Sequence, residues 1–187
     1  MRILKEKTIG LIIDIQERIF QVMTDSEKIL KSISVLIEGL KILKVPIFFT
    51  EQYPKGLGPT IPQIATSLKG VPRYEKASFS CCDEPPIMLD LAASGTENVI
   101  IAGIESHVCV LQTAIDLKHN GYHPIVVEDC IASRNPNEKK IALERMQTEG
   151  IPITTCEAIL FELLRYSNVP EFKQISKLIK ENALKIC

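Results

Sequence analysis

The chain has 187 residues, 45% of them apolar and 24% charged, and a formal net charge of −1. That is the profile of a folded globular protein, long enough to bury roughly 70% of the surface of its extended form, and it excludes a disordered chain. No block of one sign occurs, which excludes bulk electrostatic capture of nucleic acid or of an anionic membrane, though not a local patch.

The apolar run from Ile9 to Ile13 is five residues long, and Asp14 ends it. A signal peptide has a longer apolar core and a spanning helix needs about 20 apolar residues, so neither secretion nor membrane insertion is expected. Six cysteines stand at 81, 82, 109, 130, 156 and 187, with no CxxC pair and no Cys/His spacing typical of zinc. We read them as reduced thiols of a cytoplasmic protein, since a chain of this length does not need disulfide staples.

In chain order, TIGLIIDI (8 to 15) is near-continuously apolar and reads as a buried parallel strand. Residues 25 to 44 change period: Ile29, Ile33, Leu36, Ile37, Leu40 and Leu43 recur at three and four, with Asp25 or Ser26 as the cap. VPIFFT (45 to 50) is the next strand, so the three form a βαβ unit. Between Glu51 and Asn98 lie six of the eleven prolines, which predicts loops with short helices near 60 to 68 and 86 to 94. NVIIAGIE brings a strand at 98 to 103, followed by a helix with Ser106 as cap and Gly121 as stop. A strand at 123 to 128, a helix at 137 to 149 and a strand at 151 to 154 follow. Helices at 156 to 164 and 170 to 183 complete the chain, the last presenting Phe172, Ile175, Leu178 and Ile179 on one face.

Apolar strands alternating with helices predict one α/β domain over 1–187, a three-layer sandwich about a doubly wound, mainly parallel sheet. An order of 3-2-1-4-5-6 sets the first and fourth strands side by side. Ligands in such folds bind beyond the carboxyl ends of the strands at that switch point. Asp14 ends the first strand and Cys109 opens the helix after the fourth, so this topology carries both to one crevice.

Cys109 is expected in the first turn of its helix, where free N–H groups and the helix dipole favour a thiolate. Lys76, in RYEKASFS, would lower the thiol pKa further, and Asp14 could take the thiol proton and return it to a leaving amine. By position alone each also has a plain structural reading: a small buried hydrophobe for Cys109, a cap or turn residue for Asp14, a solvent-facing cation for Lys76.

The segments DIQERIF, TEQYPKGLGPT, EKASFS and above all AGIESHVCVLQTAIDL resemble, in order and over residues 8 to 162, the isochorismatase-like cysteine hydrolases. The resemblance implies Asp14, Lys76 and Cys109 as catalytic residues and a cis peptide between Ile104 and Glu105. It also implies an oxyanion hole from the N–H groups of Glu105 and Cys109. The expected reaction is hydrolysis of a small amide or related C–N substrate through a thioester at Cys109, in a homo-oligomer of two or more subunits. The competing expectation is a scaffold of the same family that binds without turnover.

Gln52, Tyr53, Phe79, Ile104 and His107 are expected to line the substrate pocket. His107 stands two residues before Cys109, and such positions do not face each other on a helix, so no Cys–His dyad is expected. Nicotinamidases of this family carry an aspartate and histidines after the second strand to hold a metal. Here that region reads TEQYPKG, and no metal is expected. Isochorismatases proper lack the cysteine, which argues against isochorismate as the substrate. The GxG of KGLGP lacks the downstream acidic residue of a dinucleotide site, so no cofactor is expected either. Asp129 and Arg134 of DCIASR are assigned to loop support or subunit contacts.

Overall fold

The structure, a computed structural model, describes residues 2–183. Six parallel strands, β1 (Thr8–Ile13), β2 (Ile47–Gln52), β3 (Arg73–Lys76), β4 (Asn98–Ile104), β5 (His123–Ala132) and β6 (Ile153–Thr154), lie in the order β3-β2-β1-β4-β5-β6. Short helices α1 (Glu17–Phe20), α3 (Pro54–Leu57) and α4 (Pro62–Ser67) occupy connections. The longer α2 (Ser26–Ile42), α5 (Pro85–Ala93), α6 (Leu111–His119), α7 (Pro136–Thr148), α8 (Cys156–Leu164) and α9 (Glu171–Ala183) form the outer layers. The strand order and the helices around the sheet are those expected from the sequence.

Successive side chains of a strand point to opposite faces, and both faces of this sheet are covered. In β1, every residue of which is buried, Ile9, Leu11 and Ile13 face a core built with Ile87, Leu91, Ala114, Leu117, Ala142 and Met146 of α5, α6 and α7. Ile12 faces the other core, with Ile33, Leu36, Ile37 and Leu40 of α2 and Ile159, Leu160 and Leu163 of α8. Both faces apolar is why these strands read as continuous runs rather than as alternation. In α9, Ile175 is fully buried in that second core and Phe172, Leu178 and Ile179 pack on it, so its apolar face docks on its own chain.

Several expectations are corrected. β3 lies inside the proline-rich stretch read as loops and helices: RYEK is a short, half-exposed edge strand without apolar periodicity. β5 runs four residues past 128, and β6 is only two residues long. Asp25 stands at the N-cap of α2 in a left-handed conformation (φ 55°), and its side chain caps nothing. Ser106 is no cap either, being fully buried in a π-helical turn, Ser106–Val110, that leads into α6. Gly121 does end α6, with φ 85°. Cys187 lies outside the described residues.

Candidate active site

The site is assembled by strand ends. β1 and β4 pair through Ile13 and Gly103, which brings Asp14 after the one and the turn to Cys109 after the other to the same crevice. β2 and β3 pair through Gln52 and Lys76. Four neighbouring strands therefore each deliver a group: Asp14 after β1, Thr50 and Gln52 from β2, Lys76 from β3, and Cys109 from the turn after β4. The close approach at the centre requires Gly103, whose φ is 135° and whose Cβ would stand 2.1 Å from the Ile13 carbonyl oxygen.

Asp14, Lys76 and Cys109 are all buried, Cys109 with 6% of its surface exposed. Asp14 takes a left-handed conformation (φ 54°), and its N–H donates to the Thr50 carbonyl at 3.2 Å. The Thr50 hydroxyl donates to Asp14 Oδ1 at 2.7 Å, which leaves Oδ2 facing Lys76 Nζ at 2.8 Å. Oδ2 meets the ammonium as its buried ion-pair partner.

Lys76 Nζ is crowded with acceptors. Gln52 Oε1 stands at 2.6 Å, the Ser78 and Phe79 carbonyls at 3.1 and 3.2 Å, and Cys109 Sγ at 3.6 Å. An ammonium has three protons, so these acceptors and the Asp14 carboxylate outnumber them. Burial alone would lower its pKa, but the Asp14 carboxylate and the Cys109 sulfur outweigh that and raise it, so it stays charged.

The thiol departs from expectation. Burial, reinforced by the Asp14 carboxylate, pushes Cys109 up to about 12 against the opposing charge of Lys76. A standing thiolate was expected from the helix start and the lysine; desolvation and the carboxylate win instead. The resting thiol is protonated, with the Asp14 carboxylate among the charges that hold it so.

The peptide between Ile104 and Glu105 is cis. The Glu105 carbonyl accepts the N–H groups of Val108 at 3.1 Å and Val110 at 3.2 Å, skipping that of Cys109 between them. The Glu105 carboxylate is held by Arg134, through its backbone N–H at 3.2 Å and its Nε at 3.0 Å. Asp129 Oδ1 accepts the Cys156 N–H at 2.8 Å and so supports the start of α8.

Of the expected pocket residues, Gln52 lies within the cluster, its Oε1 also 3.9 Å from Cys109 Sγ. Its orientation is unambiguous: Nε2 donates to the Ala77 carbonyl at 2.8 Å, so Oε1 must face the ammonium. Tyr53 and Phe79 are 60% and 54% exposed beside it, Phe79 reaching Lys76 only through its carbonyl. His107 Nδ1 lies 2.9 Å from Ser133 Oγ. The side chain of Ile104 is fully buried in the α2–α8 core, because the alternation along β4 turns it away from the crevice. A cavity of about 530 Å³ between α2, β5, α8 and α9 is lined by none of the three central residues.

Sequence reasoning missed Gln16, Thr50 and Glu84. Gln16 is fully buried: its Oε1 accepts the Gln52 N–H at 2.7 Å and its Nε2 donates to the carbonyls of Gln52 and Gly58 at 2.9 and 2.7 Å. Its place two residues past Asp14 was the available signal. Among the described residues, no group of three or more His, Cys, Asp or Glu side chains is close enough to hold a metal ion.

The fold and site define a parallel three-layer α/β protein with a buried carboxylate, ammonium and thiol at its central strand ends. The isochorismatase domain family model matches residues 8–158, and the chain belongs to that family. It is 36% identical to mouse isochorismatase domain-containing protein 2A over 96% of this chain and 86% of the relative. A solved structure named as a MAR1 ribonuclease from Caenorhabditis elegans is 36% identical, with a TM-score of 0.89 over 96% of this chain and 92% of its own. The Escherichia coli YcaC gene product, described as an octameric hydrolase of unknown specificity, shares the fold with a TM-score of 0.90. It is 22% identical over 100% of this chain and 95% of its own.

Proposed function

We propose that the chain is a cysteine-dependent hydrolase of small carboxamides or related C–N substrates. One observation carries the reading: a buried thiol stands 3.6 Å from an ammonium that itself lies 2.8 Å from a buried carboxylate. Asp14 takes the Cys109 proton as sulfur attacks the substrate carbonyl carbon. The developing oxyanion meets the N–H groups of Glu105 and Cys109. The C–N bond breaks, the amine leaves with the proton from Asp14, and a thioester remains on Cys109. Water then attacks it, giving its proton to Asp14; the acid leaves, and Asp14 returns the proton to sulfur. Lys76 pairs with the carboxylate and stabilises negative charge on sulfur throughout.

No metal or other cofactor enters this reading, since no step needs one. A small-molecule substrate suits a crevice in which the nucleophile is almost wholly buried. Self-association into a dimer or larger assembly, and a reducing cytoplasmic setting for the free thiols, belong to the same proposal.

The test is a panel of small primary amides, ureas and carbamoyl compounds, with intact-mass and peptide mapping of the protein during turnover. An acyl adduct on Cys109 is expected, absent in Cys109→Ser. A short single-stranded RNA belongs in the panel because of the ribonuclease name of one relative. Cleavage of RNA with no adduct, or amide turnover that survives Cys109→Ser, would sink the reading.

A further inference from the structure

Glu84 immediately precedes α5, in the N-cap position, yet its side chain caps nothing there. It turns back onto the segment after β3. Its Oε1 accepts the N–H groups of Ala77 and Ser78 at 3.0 and 3.1 Å and the Ser78 hydroxyl at 2.7 Å. That hydroxyl also lies 2.8 Å from the Ser80 carbonyl; with one proton to give, it favours the charged acceptor.

The other sides of the same peptide planes hold the site. The Lys76–Ala77 peptide offers its N–H to Glu84 and its carbonyl to the Tyr53 N–H at 2.9 Å. The Ala77–Ser78 peptide offers its N–H to Glu84 and its carbonyl to Gln52 Nε2 at 2.8 Å. A trans peptide is planar, with N–H and C=O opposed, so fixing one side aims the other. The next two carbonyls, of Ser78 and Phe79, are those on Lys76 Nζ. Burial would raise the Glu84 carboxyl, but the Ser78 and Ala77 hydrogen bonds and the Lys76 charge together hold it below its ordinary value, so it is ionised at neutral pH.

We propose that Glu84 is a positioning residue: by gripping the outer side of the 77–78 peptides, it aims the carbonyl wall that seats Lys76 and the Gln52 carboxamide against Cys109. It touches no reacting atom. The inference rests on the reading of Cys109 as nucleophile and adds what keeps its partners in register.

The full chain, Glu84→Gln and Glu84→Ala are compared by hydrogen exchange over residues 76–80 and by iodoacetamide alkylation of Cys109 against pH, read by peptide mass spectrometry. In Glu84→Ala the 77 and 78 amides exchange faster. Cys109 alkylation near pH 8 slows about tenfold, because a loosely held ammonium lowers the thiol pKa less. Glu84→Gln, which keeps one acceptor oxygen, falls between. A loop that merely opened would speed alkylation, so a faster or unchanged rate overturns the proposal. Should Glu84→Ala fail to fold, the same criterion applies to Glu84→Gln. The underlying reading fails separately, if wild-type Cys109 forms no acyl adduct with any amide, whatever the Glu84 variants show.

Discussion

Asp14 and Lys76 sit where neither would be tolerated alone. A buried ion pair contributes little net stability, but removing one partner strands a charge away from water. Lys76→Met should therefore cost about 3–5 kcal/mol, read as a lowered urea midpoint, and adding Asp14→Asn should recover most of it. A single variant as stable as the parent would contradict the 2.8 Å pairing. Burial and charge also explain why the thiol is protonated at rest. Cys109 is held between a carboxylate that disfavours its anion and an ammonium that favours it, and in the proposed reaction that carboxylate is also the base.

The elements around the site meet at one point of contact between β1 and β4. Gly103 lets the two backbones close: a Cβ there meets Ile13 O at 2.1 Å and Ile13 N at 2.6 Å, both backbone atoms that cannot step aside. Its φ of 135° adds strain for any other residue. Gly103→Ala should destabilise the fold by at least about 3 kcal/mol, measured by chemical denaturation. In whatever folded population remains it should also slow Cys109 alkylation, because Asp14 follows Ile13 directly and the turn to Cys109 follows Gly103. Wild-type stability would mean that the strands can part without cost. The π-helical turn at Ser106–Val110 belongs to the same device, since it carries the Cys109 N–H past the Glu105 carbonyl that takes its neighbours.

For the whole molecule, several buried thiols impose a pH dependence on folding. Burial raises Cys81 and Cys109 to about 12 and Cys130 well above the ordinary thiol value of 9.0. A raised folded-state pKa means the thiol stays protonated in the native protein while it ionises in the unfolded chain. Stability from these groups is whole below about pH 9 and is lost as pH rises toward 12, by about 1.4 kcal/mol per unit for each such thiol. Denaturation midpoints between neutral pH and about pH 10.5 should fall, and Cys130→Ala should make the fall shallower. A flat profile would show that these thiols are not sequestered.

The sheet was legible because its central strands are buried on both faces, and continuous apolar runs such as GLII and NVII survive any reading frame. The positions of Asp14 and Cys109 at the ends of central strands followed from that pattern, and their assignment to the site together with Lys76 followed from the resemblance carried by the chain's motifs. The edge strand β3 was not legible: four residues, half exposed and charged, acquire strand form only from pairing with β2. Nor were Thr50, Gln16 and Glu84, whose roles are hydrogen bonds to groups far along the chain or to backbone with no sequence signature. The sequence alone determined that Asp14 ends the first strand and that Cys109 follows the strand at 98, because hydrophobic periodicity and chain order are local properties. Only the tertiary structure decided the state of the thiol, because a pKa depends on how far water is excluded and which charges close in around it.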